Sequence, residues 1–135
     1  MEAETLQTSQ DTLLFVDDEP LMTNLFETFM GKRGFHVLTA ASGAEALQIV
    51  EREKDNIQLI LTDMSMPGMD GLTLARELAI LAPAMPIMLA TGHDADIEST
   101  AGLSNIVSVV RKPYQNRVLA EQIREVLDAH KRGRQ

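Results

Sequence analysis

Five times between Thr12 and His130 a short apolar run gives way to a segment with helical spacing. Strands alternating with helices in this way define an α/β domain with right-handed crossovers and a parallel sheet. The runs are 13–16, 37–40, 57–62, 87–90 and 106–110. After Pro20, Leu21, Met22, Leu25, Phe26, Phe29 and Met30 recur three to four apart, and Gly34 supplies a stop. Ser42 and Glu45 form a Ser-x-x-Glu capping box for the second helix, with Ala46, Leu47 and Val50 facing inward. Asp70-Gly71 opens the third, which Pro83 closes. The stretch 94–103 has few apolar residues and contains Gly102, which predicts a short or irregular fourth helix. The last helix spans 116–130, with Leu119, Ile123, Val126 and Leu127 on one face. Run 57–62 is almost wholly apolar, as expected of a strand buried on both faces at the centre of the sheet.

The chain's 135 residues suffice for one domain with its own core. Residues 1–11 are polar and predicted to be a flexible tail, 12–130 the domain, and 131–135 a basic C-terminal tail. The absence of Cys excludes a disulfide scaffold. With no basic-plus-apolar leader and no long apolar run, the expectation is a soluble cytoplasmic protein without membrane contact. A formal net charge of −8 opposes direct nucleic-acid binding. The one basic cluster, Lys131, Arg132 and Arg134, reads as a frayed helix end favoured by the helix dipole.

The chemistry gathers where the strands stop. Asp17-Asp18-Glu19 follows the first run, Asp63 the third, Thr91 the fourth and Lys112-Pro113 the fifth. An open parallel sheet binds ligands outside the carboxyl ends of its strands, so these distant residues converge. Asp17 and Asp18 offer oxygens to a hard divalent cation such as Mg²⁺. Asp63 is then a nucleophile able to carry a phosphoryl group, with Lys112 as the cation and Thr91 as the hydroxyl donor. Each feature also has a plainer explanation. The acids suit a helix N-terminus, Asp63 begins a Pro-Gly turn, Thr91 is an ordinary β-branched strand residue, and a lone Lys is usually solvated. Adjacent acids at a buried strand end repel, however, and with Asp63 added the cluster makes most sense around a cation.

The strings Leu-Phe-Val-Asp-Asp-Glu-Pro (14–20), Leu-Thr-Asp-Met-Ser-Met-Pro-Gly-Met-Asp-Gly (61–71), Ala-Thr-Gly (90–92) and Arg-Lys-Pro-Tyr (111–114), in this order, resemble the receiver domain of two-component response regulators. The resemblance implies a doubly wound, five-stranded, flavodoxin-like parallel sheet in the order 2-1-3-4-5. It further implies that Asp63 accepts a phosphoryl group from a sensor histidine kinase or phosphotransfer protein, and that the output is altered binding to a downstream protein. Asp18 would ligate Mg²⁺ directly, Asp17 mostly through water, and Asp63 and the Ser65 carbonyl would complete the protein ligands, with Glu19 dispensable. The Met64 and Gly92 amides would donate to phosphoryl oxygens, and the Lys112-Pro113 bond would be cis. A homodimer through the fourth and fifth helices is a further option the family brings.

Val109 stands where most members have a Tyr or Phe that rotates as the Thr closes, so the usual switch is missing its aromatic. The interval from Thr91 to Lys112 is short for the family. Ser65 and His93, each two residues beyond a site residue, flank the path of an attacking water and are candidates for setting the phosphoryl lifetime. Two rivals are an aspartyl phosphatase of the haloacid-dehalogenase-like kind and a binding module that never switches. The first would carry a second Asp where Ser65 stands, and it lacks room for a cap domain. A dinucleotide or Walker-type glycine loop does not follow the first strand.

Overall fold

A computed structural model describes residues 11–133. In chain order the elements are β1 (Thr12–Val16), α1 (Pro20–Lys32), β2 (His36–Ala40), α2 (Gly43–Glu53), a 3₁₀ turn (Lys54–Asn56), β3 (Leu59–Asp63), α3 (Gly71–Leu81), β4 (Ile87–Thr91), α4 (Asp94–Ser99), β5 (Ile106–Arg111) and α5 (Asn116–Gly133). All strand pairs are parallel and the order is β2-β1-β3-β4-β5, as the resemblance implies.

The three central strands are buried along their whole length because successive side chains feed two different cores. Leu14 and Val16 on β1 and Ile60 on β3 pack with Ala46, Val50, Leu74 and Leu78 of α2 and α3. On the other face, Leu13, Phe15, Leu59 and Leu61 pack with Phe26 and Met30 of α1 and Leu119, Ile123 and Leu127 of α5. Each fully buried Leu or Phe is worth about 1.5–3 kcal/mol relative to exposure. Phe15 and Phe26 stack at 4.2 Å between centroids and so fix α1 against β1.

Local chemistry sets the helix boundaries. Pro20 occupies the first turn of α1, and Gly34, at φ 94°, takes the left-handed conformation that ends it. The Ser42 hydroxyl accepts from the Glu45 amide at 3.1 Å, and the Glu45 carboxylate answers by accepting from the Ala41 amide at 2.7 Å. Asp70 caps α3 through the Thr73 amide at 2.8 Å. The fourth helix is indeed short, six residues with none buried.

Several boundaries differ from the sequence reading, most by one residue. Ile57 and Gln58 lie outside β3, because Ile57 closes the preceding 3₁₀ turn. Asp11, assigned from sequence to the tail, is 8% exposed and accepts from Arg124 at 3.4 Å and Lys131 at 3.0 Å. Lys131 is therefore an anchor of α5 rather than part of a frayed end, and the helix runs past residue 130. The rest of the expected N-terminal tail, residues 1–10, lies outside the described residues, as do Arg134 and Gln135.

Candidate functional site

Parallel pairing brings the chain positions together. Val16 is in register with Thr62, Asp63 with Ala90, and Thr91 with Arg111. The residues that leave β1, β3, β4 and β5 consequently share one edge of the sheet. Asp17 and Asp63 are 3% and 6% exposed, whereas Asp18 is open to solvent. One carboxylate oxygen from each of Asp17, Asp18 and Asp63 lies within 4.8 Å of the others. Lys112 Nζ stands 2.5 Å from Asp63 Oδ1. The Lys112-Pro113 peptide is cis, and the Lys112 amide donates to the Thr91 carbonyl at 2.9 Å, carrying the β4–β5 ladder one residue further.

The electrostatics follow from burial. Desolvation pushes the Asp17 carboxyl above its ordinary range, the Glu19 amide, donating to Asp17 Oδ1 at 3.0 Å, opposes that shift, and Asp63 adds to it. Tyr114, just beyond Pro113, is pushed up to about 12 by burial and by the charges of Asp17 and Asp63. Three carboxylates with no sulfur or imidazole among them make a donor set for a hard, oxygen-seeking divalent cation, whose charge would offset the burial and the Asp63 charge that raise Asp17. The acidic cluster thus fits a metal ion.

Close packing holds the loop that follows Asp63. A Cβ on Gly71 would fall 2.7 Å from the Asp63 carbonyl and 2.6 Å from Leu89 Cδ1, and the Gly71 amide donates to the Met64 carbonyl at 2.8 Å. Met69 lies against Gly43 at the start of α2, where a Cβ would meet its sulfur at 2.7 Å. The loop, with His93 and Asp96, lines an open cleft of about 550 Å³ in which Ser65 and His93 both take part.

Two expected donors are differently employed. The Met64 amide donates to the Ala90 carbonyl at 2.9 Å, because the β3–β4 ladder continues past Asp63, so it does not point into the cleft. Thr91, 2% exposed, donates its hydroxyl to Asp96 Oδ2 at 2.6 Å and accepts from the His93 amide at 3.1 Å. Gly92 is exposed, with a Cβ there meeting only the Lys112 Cβ at 3.9 Å. Val109 is half-buried in β5. Sequence reasoning missed Asp96 and gave Tyr114 no part. Only the position of Tyr114 beside Lys112-Pro113 hinted at the site.

A fold with β2-β1-β3-β4-β5 order and acids and a lysine at its carboxyl edge is that of a phosphorelay receiver. The family model for the response regulator receiver domain matches residues 13–124, and the chain belongs to that family. The transcriptional regulatory protein GlrR of Escherichia coli is 33% identical over 86% of this chain, which spans 26% of that protein's length. A response regulator receiver domain protein from Clostridium thermocellum superposes with a TM-score of 0.82 at 30% identity, covering 90% of this chain and 97% of the other. The response regulator TrrA from Thermotoga maritima, solved in complex with Mg(2+)-BeF, gives a TM-score of 0.73 at 28% identity over 86% and 98% of the two chains. Receivers of this family work with histidine kinases or phosphotransfer proteins. No helix among the described residues is long and apolar enough to cross a membrane.

Proposed function

We propose that this receiver is switched by phosphorylation of Asp63 and catalyses that transfer itself. The observation that carries the reading is the pairing of Asp63 Oδ1 with Lys112 at 2.5 Å, which leaves the second carboxylate oxygen for attack. That oxygen forms a bond to phosphorus as the phosphorus–nitrogen bond of a kinase phosphohistidine breaks. The electron pair returns to the imidazole, which takes up a proton from water. Charge is spread over the equatorial oxygens of a loose transition state, so positioning and electrostatics supply the catalysis. Lys112 holds the acceptor and then follows the phosphoryl oxygens, and Thr91 and the Gly92 amide donate to the rest.

Asp17, Asp18, Asp63 and the Ser65 carbonyl would hold Mg²⁺, which when bound neutralises negative charge on the acids and the phosphoryl oxygens. The presence of Mg²⁺ and BeF on the relative TrrA supports this choice of ion. Ser65 and His93, both lining the cleft, set how readily water reaches phospho-Asp63 and hence how fast the chain dephosphorylates itself. The added charge shifts a two-state equilibrium that is read by a downstream protein partner. Direct nucleic-acid binding is not part of this reading, given the net charge of −8. A cytoplasmic location and pairing of two copies through the α4 and α5 face complete it.

Intact mass after incubation with acetyl phosphate and Mg²⁺ tests the reading. One phosphoryl adduct is expected, lost with chelator and in Asp63→Ala. An adduct that persists in Asp63→Ala and maps elsewhere would overturn the site.

A further inference from the structure

The Thr91 hydroxyl donates to Asp96 Oδ2 at 2.6 Å, which sets the direction of its proton. A threonine hydroxyl has one proton to give. Phosphoryl oxygens at neutral pH are acceptors, so Thr91 cannot donate to Asp96 and to a phosphoryl group on Asp63 at once. Asp96 lines the cleft with Met64, Ser65 and Met66, the residues that directly follow Asp63 in the chain. Asp96 belongs to α4, a helix with no buried residue, so apolar packing does little to keep that helix in place. Its other side-chain tie, Asp94 to Arg111 at 2.6 Å, is between exposed groups and worth little on its own.

We propose that Asp96 is a positioning residue that holds the Thr91 hydroxyl away from Asp63 in the resting chain, and that the loss of this bond on phosphorylation releases α4. This rests on the reading of Asp63 as phosphoacceptor and goes beyond it. It supplies a switch that needs no aromatic on β5, where Val109 has none to rotate. When the hydroxyl turns to the phosphoryl group, Asp96 loses its donor and faces a new anion across the cleft. Attraction becomes repulsion at one contact, and the helix carrying Asp96 is the part with least to retain it. The Arg111 tie adds to the effect, because Arg111 precedes Lys112, which also engages the phosphoryl group.

The test compares the full chain with Asp96→Ala and Asp96→Asn, using beryllofluoride with Mg²⁺ as a phosphoryl-shaped probe. A contact that holds the chain in a conformation unable to bind lowers apparent affinity by the fraction of competent chain that remains. Removing a charge-assisted hydrogen bond is thus expected to tighten beryllofluoride binding by about tenfold in Asp96→Ala, with Asp96→Asn between it and the parent chain. Amides 94–99 should exchange faster in the parent chain only when the probe is bound, and already fast in Asp96→Ala without it. Structural damage would weaken binding, so the direction separates a latch from a scaffold, and the near-isosteric Asn variant guards against loss of fold. Unchanged affinity and exchange in both variants, with the parent chain still labelled by acetyl phosphate, would overturn the latch and leave the phosphoacceptor reading intact. A parent chain that takes up neither acetyl phosphate's phosphoryl group nor beryllofluoride would bring down both.

Discussion

Lys112 Nζ lies 2.5 Å from Asp63 Oδ1, a cation from the end of β5 set on a carboxylate from the end of β3. Its charge also acts on Asp17, opposing the upward push of burial. Lys112→Ala should keep phosphoryl labelling but blunt the conformational response. In chelator it should also lose about 1–2 kcal/mol of stability, a buried-pair cost discounted for the partial exposure of the lysine. Denaturant unfolding with and without Mg²⁺ checks this, with the deficit shrinking when the ion is added.

Asp17 contributes to the pH dependence of the metal-free chain. Its folded pKa is raised above the ordinary 3.8 by burial first, so its contribution to stability is complete below that value and is lost as pH rises through the folded pKa. At pH 7 without metal the buried charge is a burden. Asp17→Asn should therefore melt later than the parent chain in chelator and gain less from Mg²⁺. Equal Mg²⁺ stabilisation of the two chains would remove Asp17 from the ion site.

Tyr114 offers a clean spectroscopic check, since the chain has one Tyr and no Trp. Tyrosinate absorbance should titrate near pH 12 rather than at the ordinary 10.0. Unfolded chains ionise their tyrosine first as pH climbs, so this group favours the fold up to about pH 10 and progressively less above it. Asp17→Asn, or saturation with Mg²⁺, should lower the midpoint by removing negative charge nearby. A midpoint that ignores both would place the phenol away from the acids.

Gly71 should resist any side chain. A methyl group there meets the Asp63 carbonyl at 2.7 Å, and backbone that carries the acceptor cannot retreat without moving it. Gly71→Ala is expected to cost about 1–3 kcal/mol by overpacking and to slow labelling of Asp63. Urea unfolding and the acetyl phosphate time course report the two effects separately.

The strands and the acids at their ends were legible in the sequence because they depend on patterns that neighbours in the chain dictate. Run 57–62 reads as a central strand since both of its faces are apolar, and Ser42 with Glu45 announces a helix start without reference to the rest of the fold. The cis bond at Lys112-Pro113 came with the resemblance. What escaped were choices made across space. Asp94, Asp96 and Glu98 all follow Thr91 closely, and only the geometry of the turn selects Asp96 as its acceptor. The Met64 amide is lost to the cleft because the β3–β4 ladder continues one residue past Asp63, onto the Ala90 carbonyl. Asp11 looked like tail until α5 supplied Arg124 and Lys131 from more than a hundred residues away.

The six residues of α4 contribute nothing buried, and that has a bearing on how such a protein diversifies. Substitutions at Ala95, Ile97, Glu98 or Ser99 alter the shape and charge of an outward surface while leaving both cores at full volume. New recognition can then arise there without the penalty that accompanies change at Leu61 or Leu89. In this receiver a helix that carries Asp96, the acceptor for Thr91, is also free to drift in sequence, so its outward surface can change without rebuilding the sheet.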